Sequence, residues 1–266
     1  FAVRIICYLA MQINTIYHIL NHYKRQNTCG FAVLIDPDNV TASGIRKIAA
    51  TCNEAGVALV FLGGSLVVSD HIGTLIQAFK SVSNIPVVLF PGHPSQVEPS
   101  ADGLLFLSLI SGRNPELLIG QHVIAAPRIK QSSLEVIPTG YMVIDGGRPT
   151  TVSYISNAQP IPNDKPDIAL CTAWAGELLG LKTIYMDAGS GAEQMISPDM
   201  ISKVSRNIDI PLIVGGGMRT AADVQRAAEA GAQVVVVGNA IEKQPGLIPE
   251  IAAVLEHYNL RTSLKY

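Results

Sequence analysis

The chain has 266 residues, a formal net charge of -2 and 15% charged against 48% hydrophobic side chains. A charge this close to zero argues against a nucleic-acid partner, which usually requires a basic surface. Charged residues also fall well below the roughly 25% of an average soluble protein. Much of the chain must therefore be buried in a core, in an interface or along an apolar ligand groove, and we expect a homo-oligomer, a dimer or a hexamer.

The first ten residues, FAVRIICYLA, form an apolar run that is too short to span a bilayer. They could be the remnant of a signal peptide. We favour a second interpretation, in which Met11 is the natural start, residues 1–10 are a non-native or upstream extension and residues 11–266 form a single domain. No stretch of about 20 apolar residues follows, so we expect no transmembrane segment.

The four cysteines, Cys7, Cys29, Cys52 and Cys171, lie far apart and form no CxxC pair. Such spacing suits neither a zinc site nor a disulfide framework. We interpret them as reduced thiols of a cytoplasmic protein, with Cys52 and Cys171 in packed helices.

Short apolar runs alternate with turns and with segments of helical periodicity. The runs predict strands at 31–35, 57–62, 86–90, 103–107, 134–144, 168–171, 183–187, 211–214 and 233–237. Most are continuous rather than alternating, as is typical of parallel strands covered on both faces. Helices are predicted at 41–55, 70–83, 197–207, 220–230 and 245–257, with N-caps at Thr41, at Ser69 or Asp70, at Ser197 and at Thr220.

About eight β/α units in one chain of this length predict a closed (β/α)8 TIM-type barrel. An open doubly wound sheet would need a G-x-G-x-x-G turn after its first strand, whereas residues 36–41 read DPDNVT. The polar segment 145–165 is longer than an ordinary loop and is predicted to be a lid.

Oxygen-bearing side chains follow the first two predicted strands. Asp36 and Asp38 flank a proline after the first strand, and Ser65 follows Gly63 and Gly64 after the second. Mg²⁺ binds through one or two carboxylates together with substrate phosphates and waters. The two strand ends therefore predict a site for a metal-bound diphosphate, although Asp38 could instead cap the first helix.

Two other groups of polar residues carry weaker signals. His18 and His22 stand at i and i+4 without a third metal ligand nearby, which indicates the exposed face of a leading helix. Arg128, Lys130 and Arg148 could neutralise a leaving group, but nothing in their spacing singles them out.

The sixth strand ends in YMDAGSGA, which combines Tyr185 and Asp187 with a turn containing Gly189, Ser190 and Gly191. A carboxylate at the carboxyl end of a barrel strand is a candidate general base for a substrate hydroxyl. The alternative is an Asx-type turn that caps the following loop.

Strands seven and eight end in glycine-rich turns that contain Gly215, Gly216, Gly217, Gly238 and Asn239. The loops after these two strands frequently form a phosphate site in barrels, because glycines and helix N-termini present backbone N–H groups to an anion. We predict a phosphate cradle there, with a phosphate oxygen approaching the three glycines. Tight turns that need positive φ are the alternative.

Together these segments resemble the geranylgeranylglyceryl phosphate synthase family, which includes bacterial heptaprenylglyceryl phosphate synthases. The resemblance is carried by FAVLIDPD (31–38), FLGGSLV (61–67), VVLFPG (87–92), ADGLLFLSLISG (101–112), IPTGYMVIDGG (137–147), TIYMDAGSGA (183–192), PLIVGGGMRT (211–220) and VVVGNAIEK (235–243). It implies a modified (β/α)8 barrel. It also implies Mg²⁺-dependent ether formation between sn-glycerol 1-phosphate and a prenyl diphosphate.

Residue by residue, the resemblance implies that Asp36 and Ser65 hold Mg²⁺. It implies a glycerol phosphate site made of Tyr185, Met186, Asp187, Ala188, Gly189, Ser190, Gly191, Gly216, Gly217, Gly238 and Asn239. The family often has Glu where this chain has Asp187, so a water could bridge the shorter side chain to the substrate. Two alternatives stay open, namely a phosphosugar isomerase or synthase with the same phosphate cradle, and a non-catalytic ligand-binding barrel.

Overall fold

Eight parallel strands close into one barrel in chain order, which confirms the predicted fold class. The computed structural model describes residues 15–264, so the expected extension at 1–10 and the expected start at Met11 lie outside the described residues. The strands are β1 (Gly30–Ile35), β2 (Leu59–Leu62), β3 (Val87–Leu89), β4 (Gly103–Leu109), β5 (Glu135–Val143), β6 (Thr183–Asp187), β7 (Leu212–Gly215) and β8 (Val234–Val237).

Ten α-helices of the described chain surround the barrel or close its ends. They are α1 (Thr15–Gln26), α2 (Ala42–Ala55), α3 (Ile72–Lys80), α4 (Gln121–Lys130), α5 (Thr151–Ser156), α6 (Pro166–Leu178), α7 (Pro198–Ser205), α8 (Ala221–Glu229), α9 (Asn239–Lys243) and α10 (Leu247–Ser263). Between residues 15 and 264, no helix has the length and apolar character that a bilayer crossing requires.

The third β/α unit differs from the others. Between β3 and β4 the described chain forms only a short 3₁₀ turn, Pro94–Gln96, where a regular barrel has an α-helix. A π-helical turn, Glu116–Gly120, then leads directly into α4. The outer surface of β4 is therefore left for α4 and for the 90–97 loop to cover, which opens a groove on this side of the barrel.

One predicted strand is wrong. Residues 168–171 lie inside α6, which has Pro166 in its first turn and buries Ala169, Leu170 and Ala173. Buried positions at i, i+1 and i+4 form one helical face, and a proline is favoured at the first helical position. Cys171 is exposed on the other side of this helix, whereas Cys52 is buried in α2 as expected.

The core has two layers because side chains of each strand alternate between the barrel interior and the surrounding helices. Helix α1 closes the amino-terminal end of the barrel, with Ile16 and Leu20 in the inner layer. The backbone N–H groups of Ile16 and Tyr17 donate to the Glu135 carboxylate at 2.8 Å each, which satisfies donors that an isolated helix leaves unpaired. His18 and His22 are exposed, as predicted.

Three of the four predicted N-caps agree with the structure, and the fourth does not. Thr41, Ser197 and Thr220 cap their helices with side-chain oxygens. Helix α3 instead begins after His71, so Ser69 and Asp70 both lie in the loop before it. The predicted lid, 145–165, contains α5 and is thus partly helical.

Candidate active site

The turns after β6, β7 and β8 meet at the carboxyl end of the barrel. The Ala188 N–H donates to the Gly215 carbonyl oxygen at 3.0 Å, which joins the first two turns. The Asn239 amide donates to the Ser190 hydroxyl at 2.8 Å, which joins the first turn to the third. The structure thus brings together the glycine-rich segments that the sequence assigns to phosphate binding.

The second and third of the three consecutive glycines pack against the protein's own backbone. Gly216 and Gly217 have φ angles of +79° and +71°. A Cβ atom on Gly216 would lie 2.6 Å from the Gly189 nitrogen and 2.7 Å from the Asp187 Oδ1 atom, and one on Gly217 would overlap the Gln194 carbonyl oxygen. The close approach expected of a phosphate oxygen is therefore made, at these two glycines, by the neighbouring turn. A phosphate held by this compact set of turns stays a prediction.

Gly217→Ala is expected to destabilise the fold by more than about 2 kcal/mol, because the new methyl group combines an unfavourable left-handed φ with a backbone clash. Gly56→Ala is the matched control, since Gly56 has a φ of +66° and nothing lies within 4 Å of its missing Cβ. Urea unfolding should show a loss of only about 1 kcal/mol for that control. Equal losses in both variants would contradict the packing argument.

Asp187 is the buried carboxylate of the site, with 8% of its surface exposed. Its Oδ2 atom accepts a 2.5 Å hydrogen bond from the Tyr141 hydroxyl, and its Oδ1 atom accepts one of 2.7 Å from the Gly189 N–H. Burial raises the pKa of Asp187, while these two hydrogen bonds counteract the rise. A carboxylate that is desolvated yet held in place fits a general base.

The alternation along β6 separates the predicted residues into two groups. Tyr185 lies in the inner layer, stacked on Phe90 with ring centroids 5.0 Å apart, and its hydroxyl lies against Gly215. Met186 and Ala188 pack in the outer layer, between the barrel and the helices. Their side chains face away from the barrel interior, so their main-chain atoms are the part of them that a ligand above the interior would meet.

Tyr141 is a site residue that sequence reasoning missed. It pairs with Tyr185 in the β5–β6 register and shares the inner layer with it. A tyrosine in an apolar strand looks like ordinary core in the sequence. Only the register shows that it stands beside Asp187.

Two arginines flank the turn after β6. Arg219 donates to the Ala192 carbonyl oxygen at 2.8 Å. The exposed Arg148 lies over Gly191, where a Cβ atom would be 2.9 Å from its Nη2 atom. Nothing in the spacing of the basic residues singles out Arg148, but the structure places it beside the predicted cradle.

Asp36 follows β1, which is the neighbour of β8 in the closed barrel. Its carboxylate accepts hydrogen bonds from the Asp38 N–H at 3.0 Å and from the Asn39 side-chain amide at 3.3 Å. Glu242, which sequence reasoning missed, accepts from the same Asn39 amide at 3.2 Å. Burial raises the pKa values of both carboxyl groups, and Asp36 raises that of Glu242 further. Two carboxylates share one neutral amide donor, which leaves excess negative charge.

This arrangement fits Mg²⁺ bound in the manner the sequence predicts. Among the described residues, no group of three or more His, Cys, Asp or Glu side chains forms a metal cage. Mg²⁺ usually needs no such cage, because it keeps waters and binds through one or two carboxylates plus substrate phosphates. The oxygen donors and the excess negative charge at Asp36 meet that requirement.

The turn after β2 lies next to Asp36. The Gly63 N–H donates to the Ile35 carbonyl oxygen at 3.2 Å, which pairs the two strand ends. Asp38 accepts from the Val68 and Ser69 N–H groups at 2.8 and 2.9 Å. Asp38 therefore fixes the loop after β2. It does not cap α2, the helix that follows β1, because Thr41 caps that helix.

An apolar groove runs from Ser65 along the side of the barrel that lacks a helix. Residues from the 90–97 loop, β4, α4 and α5 line it, among them Val97, Leu104, Phe106, Leu117, Ala125 and Ile129. His122 is a polar exception, with Nε2 3.1 Å from the Ser108 hydroxyl. Burial lowers the pKa of His122. The groove can accept a long apolar ligand whose polar end lies near Ser65.

The sequence model of the PcrB family matches residues 22–256. A geranylgeranylglyceryl phosphate synthase of Chitinophaga pinensis is 58% identical over 239 residues, covering 90% of this chain and 95% of the relative. One from Spirosoma linguale is 48% identical, covering 91% and 97%. The crystal structure of the (S)-3-O-geranylgeranylglyceryl phosphate synthase of Thermoplasma acidophilum, in complex with its substrate sn-glycerol-1-phosphate, is 30% identical. It superposes with a TM-score of 0.84, covering 90% of this chain and 98% of that one.

Proposed function

Since the chain belongs to the PcrB family, we propose that it is a prenyltransferase of the geranylgeranylglyceryl phosphate synthase type. It joins the 3-hydroxyl of sn-glycerol 1-phosphate to a long, geranylgeranyl-type prenyl diphosphate as an ether and releases diphosphate. The observation that carries the proposal is the identity of 58% to a relative of that name over almost its whole length. Three features of the barrel mouth support it: the glycine-rich turns after β6, β7 and β8, the carboxylates around Asp36, and the apolar groove that begins at Ser65.

Glycerol 1-phosphate binds at the turns after β6, β7 and β8 in this proposal. The main chain of Gly189–Gly191, Gly216–Gly217 and Gly238 surrounds its phosphate, and Asn239 and Ser190 fix the turns to each other. Tyr185 and Asp187 project from the barrel interior beneath these turns and face the glycerol hydroxyls.

Asp36 and Ser65 are the proposed Mg²⁺ ligands, and Mg²⁺ when bound supplies charge neutralisation of the diphosphate, which makes it a better leaving group. Asn39 and Glu242 hold the Asp36 turn in place. The prenyl tail lies in the apolar groove, where Leu104, Leu117 and Ile129 exclude water from it.

In the reaction, the 3-hydroxyl oxygen forms a bond to the terminal prenyl carbon while the bond from that carbon to the diphosphate oxygen breaks. Asp187 accepts the hydroxyl proton, and Tyr141 orients Asp187 through its hydrogen bond. Fixing both substrates side by side at one barrel mouth can lower the barrier by several kcal/mol, about 7–11 in ideal cases.

The decisive experiment incubates the protein with Mg²⁺, one glycerol phosphate enantiomer and prenyl diphosphates of increasing length, and identifies products by mass. We expect a prenylated ether from sn-glycerol 1-phosphate and at most traces from the sn-3 enantiomer. The isomerase and ligand-binding alternatives predict no prenylated product with any chain length. The absence of product with both enantiomers would overturn the proposal.

Arg148→Ala is expected to raise the KM for glycerol 1-phosphate about tenfold and to change kcat little, because a charge-assisted contact to the phosphate is lost. Arg148→Lys should recover part of the affinity. Arg206→Ala, which removes an exposed arginine after α7, is the control and should leave both constants unchanged. A fall in kcat at unchanged KM would assign Arg148 to the leaving group instead.

We further propose a cytoplasmic homo-oligomer, a dimer or a hexamer. The exposed surface of α6 and the residue after it carry Trp174, Leu178 and Leu179, with 40%, 88% and 79% of their surfaces exposed. Large contiguous apolar patches are uncommon on monomers. Light scattering should therefore give a mass above that of one chain, and Leu178→Glu should lower it.

A further inference from the structure

The segment 116–130 carries apolar side chains on both of its faces. Leu117, Ala125 and Ile129 line the groove from the inner face. On the outer face, Ile119, Val123 and Ile124 have 61%, 66% and 64% of their surfaces exposed. Exposed apolar side chains that cluster on one helix face normally mark a contact surface for protein or for lipid. In the described chain the barrel covers only the inner side.

Helix α5, which lines the same groove, also carries exposed apolar side chains. Tyr154 and Ile155 on this helix are 84% and 46% exposed, and Ile155 also lines the groove. We call the following five exposed apolar residues the docking rim: Ile119, Val123, Ile124, Tyr154 and Ile155. Because Ile155 belongs to both the groove and the docking rim, an apolar ligand that leaves the groove there is already at the docking rim.

The charge beside the docking rim is positive. Residues 113–130 contain Arg113, Arg128 and Lys130, all exposed, against one acidic residue, Glu116, in a chain whose formal net charge is -2. The other exposed apolar surface, on α6, has the opposite sign, because residues 166–182 contain two acidic residues and one basic residue. Basic side chains next to an anionic bilayer strengthen binding to it.

We propose that the docking rim binds the surface of an anionic lipid bilayer, so that the prenyl tail passes between membrane and groove without crossing water. The inference rests on the proposed function, because only a lipid ligand makes continuity between groove and bilayer useful. The apolar side chains enter the headgroup region while Arg113, Arg128 and Lys130 meet the anionic headgroups, as in other interfacial helices. The positive charge distinguishes the docking rim from the α6 surface, to which we assign a second copy of the chain.

The test is cosedimentation with vesicles of phosphatidylcholine alone and of phosphatidylcholine mixed with phosphatidylglycerol. We expect the full-length protein to bind the anionic vesicles and to release them at high salt. The double variant Val123→Glu/Ile124→Glu should bind at least about tenfold more weakly, since it places carboxylates where apolar contacts form. Leu260→Glu is the matched control on α10, where Leu260 is 60% exposed, and it should bind like the parent protein.

Activity measurements distinguish a failure of the docking proposal from a failure of the proposed function. Neither Val123 nor Ile124 lines the groove, so the double variant should keep its rate with a short, water-soluble prenyl diphosphate in buffer without vesicles. It should lose at least about fivefold in rate with a long prenyl diphosphate embedded in anionic vesicles, in line with the weaker binding. No rate with the soluble substrate in either protein would refute the function and leave vesicle binding to be judged by sedimentation.

Three results would overturn the docking proposal. The parent protein could stay in the supernatant with every vesicle composition. The double variant could sediment like the parent. The double variant could also lower the oligomeric mass in the absence of lipid, which would show that a second copy, rather than a membrane, covers the docking rim.

Discussion

Asp36→Asn is expected to reduce Mg²⁺-dependent turnover at least about a hundredfold, because the variant removes the charge that binds the cation and keeps the shape of the side chain. The amide oxygen of Asn can still accept the hydrogen bond from the Asp38 N–H, so the turn should stay folded. Mn²⁺ binding, followed by electron paramagnetic resonance, should weaken in parallel with the rate. Glycerol 1-phosphate, whose proposed site does not include the Asp36 side chain, should bind as before in calorimetry.

Asp38→Asn is the control for this experiment, because Asp38 lies in the same turn but uses its carboxylate to hold the loop after β2. It should lower thermal stability modestly and leave Mn²⁺ affinity within a fewfold of the parent. Full activity of Asp36→Asn, or equal loss of Mn²⁺ affinity in both variants, would refute the metal assignment.

Asp187→Asn is expected to lower kcat by about 10² to 10⁴, the usual range for a general base, and to change the affinity for glycerol 1-phosphate only a fewfold. Asn is preferred to Ala because it can still accept a hydrogen bond in place of the carboxylate, so the buried Tyr141 hydroxyl is not left unpaired. Steady-state rates and calorimetry measure the two quantities separately. Equal losses of rate and affinity would make Asp187 a binding residue.

The pH dependence gives a second measurement of the same role. A base must be ionised, and burial raises the pKa of Asp187, so the rate should begin to fall on acidification at a pH above the ordinary range of an aspartate. Tyr141→Phe removes a hydrogen bond that lowers this pKa. The acidic limb of its profile should move to higher pH, whereas a purely structural role of Tyr141 would lower the rate without moving the limb.

The barrel could be predicted because its signals are local. Continuous apolar strands followed by glycine or carboxylate turns identify β1, β2, β6, β7 and β8 directly. The error at 168–171 has an equally local origin, since four apolar residues fit a buried strand or a buried helix. Pro166, two residues earlier, is the signal that would have favoured the helix.

The sequence predicts those residues of the candidate site that directly follow a strand. It does not predict residues that come from distant segments of the chain. Asp36 and Asp187 follow from the rule that carboxyl ends of parallel strands meet. Tyr141 and Glu242 depend on strand register and on the position of α9, which sequence spacing does not encode. The three glycines were recognised, but their contacts with Gly189 and Gln194 could not be read from the sequence.

The short 3₁₀ turn between β3 and β4 has a thermodynamic consequence. Where other barrel units cover a strand with a permanent helix, this unit leaves Leu104 and Phe106 bordering the groove. A prenyl tail bound there would complete the hydrophobic core as the missing layer. Ligand and fold would then be coupled, and the melting temperature should climb with prenyl diphosphate concentration as mass action requires.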